Sequence, residues 1–103
     1  MTKNFGLSEK ILLEIKNTIL NKFQNKSKVS TYVFGSRSKT TEKQYSDLDL
    51  WIESEPELNL TEITELSDAF KDSDLPIKID VVSGVNCFAE YRERILSERV
   101  LWF

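Results

Sequence analysis

The sequence predicts a single α/β domain in which a small sheet of three to four strands is flanked by helices. Three observations predict this fold class. The chain has 103 residues, enough for one hydrophobic core. Apolar residues recur at helical spacing in some stretches, and strand-like apolar runs lie between them. Most of these runs end at glycine, proline or polar residues. The domain is therefore expected to span residues 1–103.

Helices are predicted over residues 8–24, from about 59 to 71, and over 86–97. In the first, Ser8 is expected to be the N-cap. In the second, Asn59 and Glu62 have the spacing of a capping box. The apolar stripes consist of Leu12, Ile15, Ile19 and Phe23 in the first helix, Ile63, Leu66 and Phe70 in the second, and Phe88, Tyr91 and Ile95 in the third. Residues 1–6 are expected to be a loose end.

Strands are predicted at residues 29–34, 47–52 and 77–82, with a short last strand within 100–103. Ser36 is expected to cap a short helix, residues 40–46 are expected to form a loop, and residues 53–57 a polar turn. Three aromatic residues, Trp51, Trp102 and Phe103, leave two interpretations open. They pack the core, which is the favoured interpretation, or they mark a contact surface.

Three aspartates fall on the strands. A strand sends successive side chains to opposite faces, so Asp47 and Asp49 share one face while the intervening leucine points into the core. Asp80 has the same relation to the apolar residues of its own strand. Two carboxylates ~5 Å apart repel by about 3 kcal/mol at an effective dielectric of ~20. Such a cluster therefore indicates a bound cation or a shared proton.

The composition limits the chemistry of this site. The chain has no histidine and one cysteine, which excludes histidine-based nucleophile pairs and the usual zinc ligands. Any metal must be held by oxygen atoms, which favours magnesium, manganese or calcium. The net charge of −3 argues against direct nucleic-acid binding. No apolar run approaches the ~20 residues that span a bilayer, and the expected location is the cytoplasm.

The segment that begins at Gly35 and Ser36 complements the acids. Glycine lets the backbone approach a ligand, and the start of a following helix offers free N–H groups to phosphate. Ser36 can donate its hydroxyl, and Arg37 can offset phosphate charge. This segment is predicted to bind the phosphates of a nucleotide.

Together these motifs resemble the minimal nucleotidyltransferases of the DNA polymerase β-like superfamily, the MNT half of HEPN/MNT toxin–antitoxin pairs. The resemblance rests on Gly35-Ser36-Arg37-Ser38-Lys39, Ser46-Asp47-Leu48-Asp49-Leu50 and Ile79-Asp80-Val81-Val82. It implies a nucleotidyltransferase fold with a mixed sheet, in which the strand of Asp80 lies beside that of Asp49.

The resemblance also implies an activity. Asp47 and Asp49 would hold one or two Mg²⁺ ions, replaceable by Mn²⁺, together with ATP. Asp80 would complete the metal site and help activate the acceptor hydroxyl. The expected reaction moves AMP from ATP to a tyrosine of a HEPN toxin partner, and a homodimer is left open.

One departure from the family pattern keeps alternatives open. The family often has a second glycine five residues after the first, where this chain has Thr40, and Ser38 stands where alanine is common. The first alternative is a non-catalytic antitoxin that neutralises its partner by occlusion. The second is a nucleotidyltransferase acting on a small molecule.

Overall fold

The computed structural model describes residues 5–35 and 47–103. In these ranges the chain forms α1 (Glu9–Lys22), β1 (Lys28–Phe34), β2 (Leu48–Glu55), α2 (Leu60–Lys71), β3 (Ile79–Val82), α3 (Ala89–Glu98) and β4 (Val100–Leu101). The strands form one sheet in the order β3-β2-β1-β4. β1 is antiparallel to both of its neighbours, whereas β2 and β3 are parallel. The predicted mixed sheet of an α/β domain is confirmed.

The pairing register gives the sheet two different faces. Val33 lies opposite Leu50, and Leu50 lies opposite Val81, so these apolar side chains share one face. The core on this face consists of Val33, Leu48, Leu50, Ile52, Ile79 and Val81, all buried. One residue along, Phe34 pairs with Asp49, which pairs with Asp80. These three residues therefore share the other face.

Helices α1 and α2 cover the core face. Their buried stripes, Ile15, Ile19 and Phe23 from the α1 region and Ile63, Leu66 and Phe70 from α2, form one cluster with the strand residues. Both predicted caps are confirmed. Ser8 Oγ accepts a hydrogen bond from the N–H of Ile11 at 3.3 Å. Asn59 and Glu62 form the reciprocal capping box, with N···O distances of 2.8 and 3.0 Å.

Some predicted boundaries were wrong. β2 continues to Glu55 where a turn was predicted, because β1 begins at Lys28 and its first residues pair with the polar end of β2. β3 begins at Ile79 and not at residue 77, since its pairing with β2 begins at Leu48. The predicted short helix after Ser36 and the loop over residues 40–46 lie outside the described residues.

The chain start was also misjudged. Phe5, expected in a loose end, is 4% exposed. Its ring packs edge-on against Trp102, with the ring centroids 6.0 Å apart. Phe5 and Leu7 both belong to the buried hydrophobic cluster of the domain.

The core-packing interpretation is confirmed for Trp102 and Phe103, whereas Trp51 is buried on the opposite sheet face, the face that carries Asp49. Trp51 is 3% exposed, and its Nε1–H donates to Glu53 at 3.1 Å. Trp102 and Phe103 are half-buried against the core, and their backbone N–H groups both bond to the carbonyl of Thr31.

Among the helices in the described ranges, none is long and apolar enough to cross a membrane.

Candidate functional site

Two of the three predicted acids are brought together by the sheet. Asp49 of β2 and Asp80 of β3 are direct partners in the parallel register. Both point away from the core face, and both are half-buried. The expectation that the strand of Asp80 lies beside that of Asp49 is thereby confirmed.

The two carboxyl groups perturb each other. Burial raises the pKa of Asp49, and together with charge repulsion and a hydrogen bond from the adjacent carboxyl of Asp80 it brings this pKa to about 6. A hydrogen bond between two carboxyl groups requires a proton on one of them. Lys78 opposes this effect only weakly, since its Nζ lies 3.8 Å from Asp80 and both side chains are substantially exposed. In the absence of a cation, the pair therefore retains a proton at a higher pH than an ordinary aspartate would.

Gly35 lies directly against this pair. It follows Phe34, whose strand partner is Asp49, and its φ of +75° is in the left-handed region. A Cβ atom at this position would overlap the carboxylate oxygen Oδ2 of Asp49. Glycine is thus required here for two reasons, the backbone conformation and the space that the carboxylate occupies.

The third acid, Asp47, stands apart. It is exposed just before the start of β2, and its charge adds to the raised pKa of Asp49. Over residues 5–35 and 47–103, no three or more acidic or cysteine side chains are grouped closely enough to hold a metal ion. The predicted triad is therefore a close pair with an exposed third member. The predicted phosphate-binding residues Ser36 and Arg37 lie outside the described residues.

The donor set nevertheless suits a hard divalent cation. Magnesium is commonly held by one or two carboxylates, with waters and substrate phosphates completing its shell. The raised pKa of Asp49 beside Asp80 marks a place where positive charge is favoured. Asp49 and Asp80 would hold such a cation, whose charge would offset the repulsion between the two carboxylates.

A cleft of about 860 Å³ opens over the acid pair. We call it the carboxylate cleft. Its walls come from the sheet side, from α2 and from the α3 region. The sheet side contributes Gly35 after β1, Asp49, Lys78 and Asp80, and α2 contributes Phe70 and Lys71. The α3 region contributes Phe88, Tyr91, Arg94, Ile95 and Glu98. Its volume falls within the ~300–1,000 Å³ typical of small-molecule sites.

The wall formed by α3 was missed by the sequence reasoning. Periodicity joined Phe88, Tyr91 and Ile95 into one stripe, but only Ile95 is buried. Phe88 is 78% exposed and Tyr91 is 58% exposed. The charged residues that alternate with them, such as Arg92 and Arg94, were the signal that this helix covers little core.

The other end of α3 is fixed by a charged residue. The guanidinium of Arg99 lies 3.8 Å from the ring centroid of Tyr32 and also forms an ion pair with Glu53. The hydrogen bond from Arg99 holds the pKa of Glu53 below its usual range. These contacts anchor the end of α3 to the sheet face that carries Asp49.

Comparison with known proteins identifies the family. The family described as "Polymerase beta, Nucleotidyltransferase" matches residues 17–103, which include all three aspartates. The chain belongs to this nucleotidyltransferase family. As in the predicted resemblance, the motif order of glycine, paired aspartates and a later aspartate runs through the matched region.

Related proteins agree with this assignment. A relative from Haemophilus influenzae named "Probable protein adenylyltransferase MntA" is 41% identical over 66 residues, which is 64% of this chain. The chain spans 58% of the length of that relative.

Two solved structures share the nucleotidyltransferase fold. A toxin-antitoxin with AMP-PNP superimposes with a TM-score of 0.64 at 21% identity, covering 85% of this chain and 72% of that one. A mutant of the toxin-antitoxin MntA-HpeT superimposes with a TM-score of 0.63 at 18% identity, covering 94% and 73%.

Proposed function

We propose that this protein is a metal-dependent protein adenylyltransferase that serves as the antitoxin of a HEPN/MNT pair. It transfers AMP from ATP to a tyrosine hydroxyl of its HEPN toxin. The observation that carries the proposal is the pairing of Asp49 with Asp80 beside Gly35, within a cleft of nucleotide size. The similarity to a relative named as a protein adenylyltransferase supports the reaction class.

The aspartates and the segment after β1 are proposed to have different roles. Asp49 and Asp80 would hold the metal together with Asp47, with Mg²⁺ the expected ion and Mn²⁺ a substitute. When bound, the metal neutralises charge on the phosphates and orients them for in-line displacement. Gly35 brings the backbone close to the acid pair, and Ser36 and Arg37 are proposed to contact the phosphates.

The transfer is a single displacement at the α-phosphorus. The tyrosine oxygen forms a bond to that phosphorus, and the bond to the β-phosphate bridging oxygen breaks, so that diphosphate leaves. Asp80 accepts the proton of the attacking hydroxyl. Asp80 is proposed for this role because it lies in the cleft directly beside Asp49.

The proposal is tested by intact-mass measurement of the HEPN partner after co-expression. The partner should gain one or more AMP units with the native protein and none with the Asp49→Asn, Asp80→Asn double variant. Asp68→Asn, which removes an exposed carboxylate from α2, is the matched control and should leave the gain unchanged. An unmodified partner with the native protein, under conditions in which a known relative modifies its own partner, contradicts the proposal.

A second candidate is a non-catalytic antitoxin that blocks its partner by binding. The exposed position of Asp47, away from the close pair, favours it. In that case native protein and the double variant would form equally stable complexes with the toxin and neutralise it equally, with no change in its mass.

A further inference from the structure

We infer that Phe88 and Tyr91 form the platform on which the nucleobase of the bound nucleotide stacks. This inference rests on the proposed function and adds to it the part of the site that recognises the nucleoside. The platform consists of the two exposed rings at the start of α3, which line the carboxylate cleft.

The two rings are unusual in their exposure. Aromatic side chains that serve only to pack a domain are largely buried, as Trp51 is at 3% exposure. Phe88 and Tyr91 are instead 78% and 58% exposed. Ile95, one turn further along α3, is only 8% exposed. Leaving two rings in water has a cost in free energy that a stacking ligand would remove.

Their position connects them to the acid pair. Phe88, Tyr91 and Ile95 all line the same cleft as Asp49 and Asp80. Phe88 is the N-cap residue of α3 with extended backbone, and Tyr91 lies in the first turn of the helix, so both rings stand at the start of α3. Ile95 is the buried member of this group, and Phe88 and Tyr91 are its exposed members.

The cleft thus has two chemically different parts. One part holds the carboxylates that suit a metal and its phosphates, and the other is an exposed aromatic wall. A nucleoside triphosphate has the same division, with charge at one end and a flat ring at the other. Stacking does not depend on base identity, since every base has a π-face, so this wall provides affinity with little discrimination between bases.

The test compares two ligands that share phosphates and differ in the base. Binding of ATP and of inorganic tripolyphosphate, each with Mg²⁺, is measured by calorimetry. We expect Phe88→Ala and Tyr91→Ala each to weaken ATP binding about tenfold and to leave tripolyphosphate binding unchanged. Tyr91→Phe should bind ATP as the native protein does, because stacking needs the ring and not the hydroxyl.

Leu13→Ala is the matched control. Leu13 is 58% exposed, as Tyr91 is, but it lies on α1, outside the cleft. It should change neither affinity, and thermal unfolding of all variants establishes that they fold.

Three outcomes would overturn the inference. Equal weakening of both ligands would mean that the rings support the cleft as a whole. Unchanged ATP affinity with reduced AMP transfer to the toxin would mean that the rings contact the protein acceptor. If the native protein binds neither ligand, the proposed function itself fails, and this result is distinct from a failure confined to the two ring variants.

Discussion

Replacing Asp49 by asparagine should stabilise the metal-free protein at neutral and alkaline pH. In the folded state burial and Asp80 raise the pKa of Asp49 from 3.8 to about 6. The folded state therefore binds this proton more tightly than the unfolded chain does. Stability must fall as the pH rises through the interval between these two values, and it stays lower above it. Asparagine carries no charge, so the Asp49→Asn variant should not lose stability over this pH interval.

The size of the effect follows from the shift. A change of one pKa unit corresponds to about 1.4 kcal/mol, so a shift of this size sets a ceiling of about 3 kcal/mol. Asp49 is only half-buried, and solvent screening lowers the expected gain to about 1 kcal/mol. The gain should be complete at about pH 8 and nearly absent at about pH 3, where the native carboxyl is largely protonated in both states.

The assay is urea denaturation with a chelator present, across that pH range. Asp47→Asn is the matched control, since Asp47 is exposed, and we expect little change in stability. Added Mg²⁺ should stabilise the native protein and leave Asp49→Asn unaffected, since binding to the folded state alone raises stability. A loss of stability in Asp49→Asn at pH 8, or the same difference at both pH values, would refute the assignment of Asp49 as a strained site residue.

Three further substitutions test how the site is supported, each by urea denaturation. Gly35→Ala should lower the free energy of unfolding by at least about 1–2 kcal/mol, because alanine is unfavourable at the positive φ of this residue and its Cβ would meet the carboxylate of Asp49. Gly84→Ala, whose added Cβ would make only an ordinary contact at 3.6 Å, should be far milder; equal losses would contradict the close approach. Arg99→Ala should lower the free energy of unfolding by about 1–2 kcal/mol, because it removes the contact with the Tyr32 ring and the ion pair with Glu53. Arg94→Ala removes only the exposed ion pair with Glu98 and should lower it by about 0.5 kcal/mol or less. Asn59→Ala should cost about 1 kcal/mol and Asn59→Ser almost nothing, since serine also caps; a neutral alanine variant would argue against the capping box.

Local pattern predicted most of the fold. The caps at Ser8 and Asn59 depend on residues three positions away, and the helix stripes depend on a period of 3.6 residues, so both can be inferred from short segments. The same holds for the strands, where alternation alone put Asp49 and Asp80 on the face opposite the core. The boundaries that were wrong, such as the end of β2 at Glu55, were those set by a partner strand.

The candidate site was predictable only in part. The sequence identified the three aspartates and Gly35, and the absence of histidine restricted any metal ligands to oxygen. It did not predict that Asp47 lies apart from the close pair. It also treated Phe88 as part of a regular stripe, although exposure depends on what packs against a helix and not on its own period.

By itself, then, the sequence determined the order of elements, the residue types available for chemistry and the side of each strand on which they lie. These properties follow from local sterics and from the period of each element. Only the tertiary structure decided that β3 lies beside β2, so that Asp49 meets Asp80, which raises its pKa, and lies against Gly35. The physical reason is that strand pairing is long-range. It depends on how the whole core is buried, and the pKa of a carboxyl depends on neighbours that distant parts of the chain bring to it.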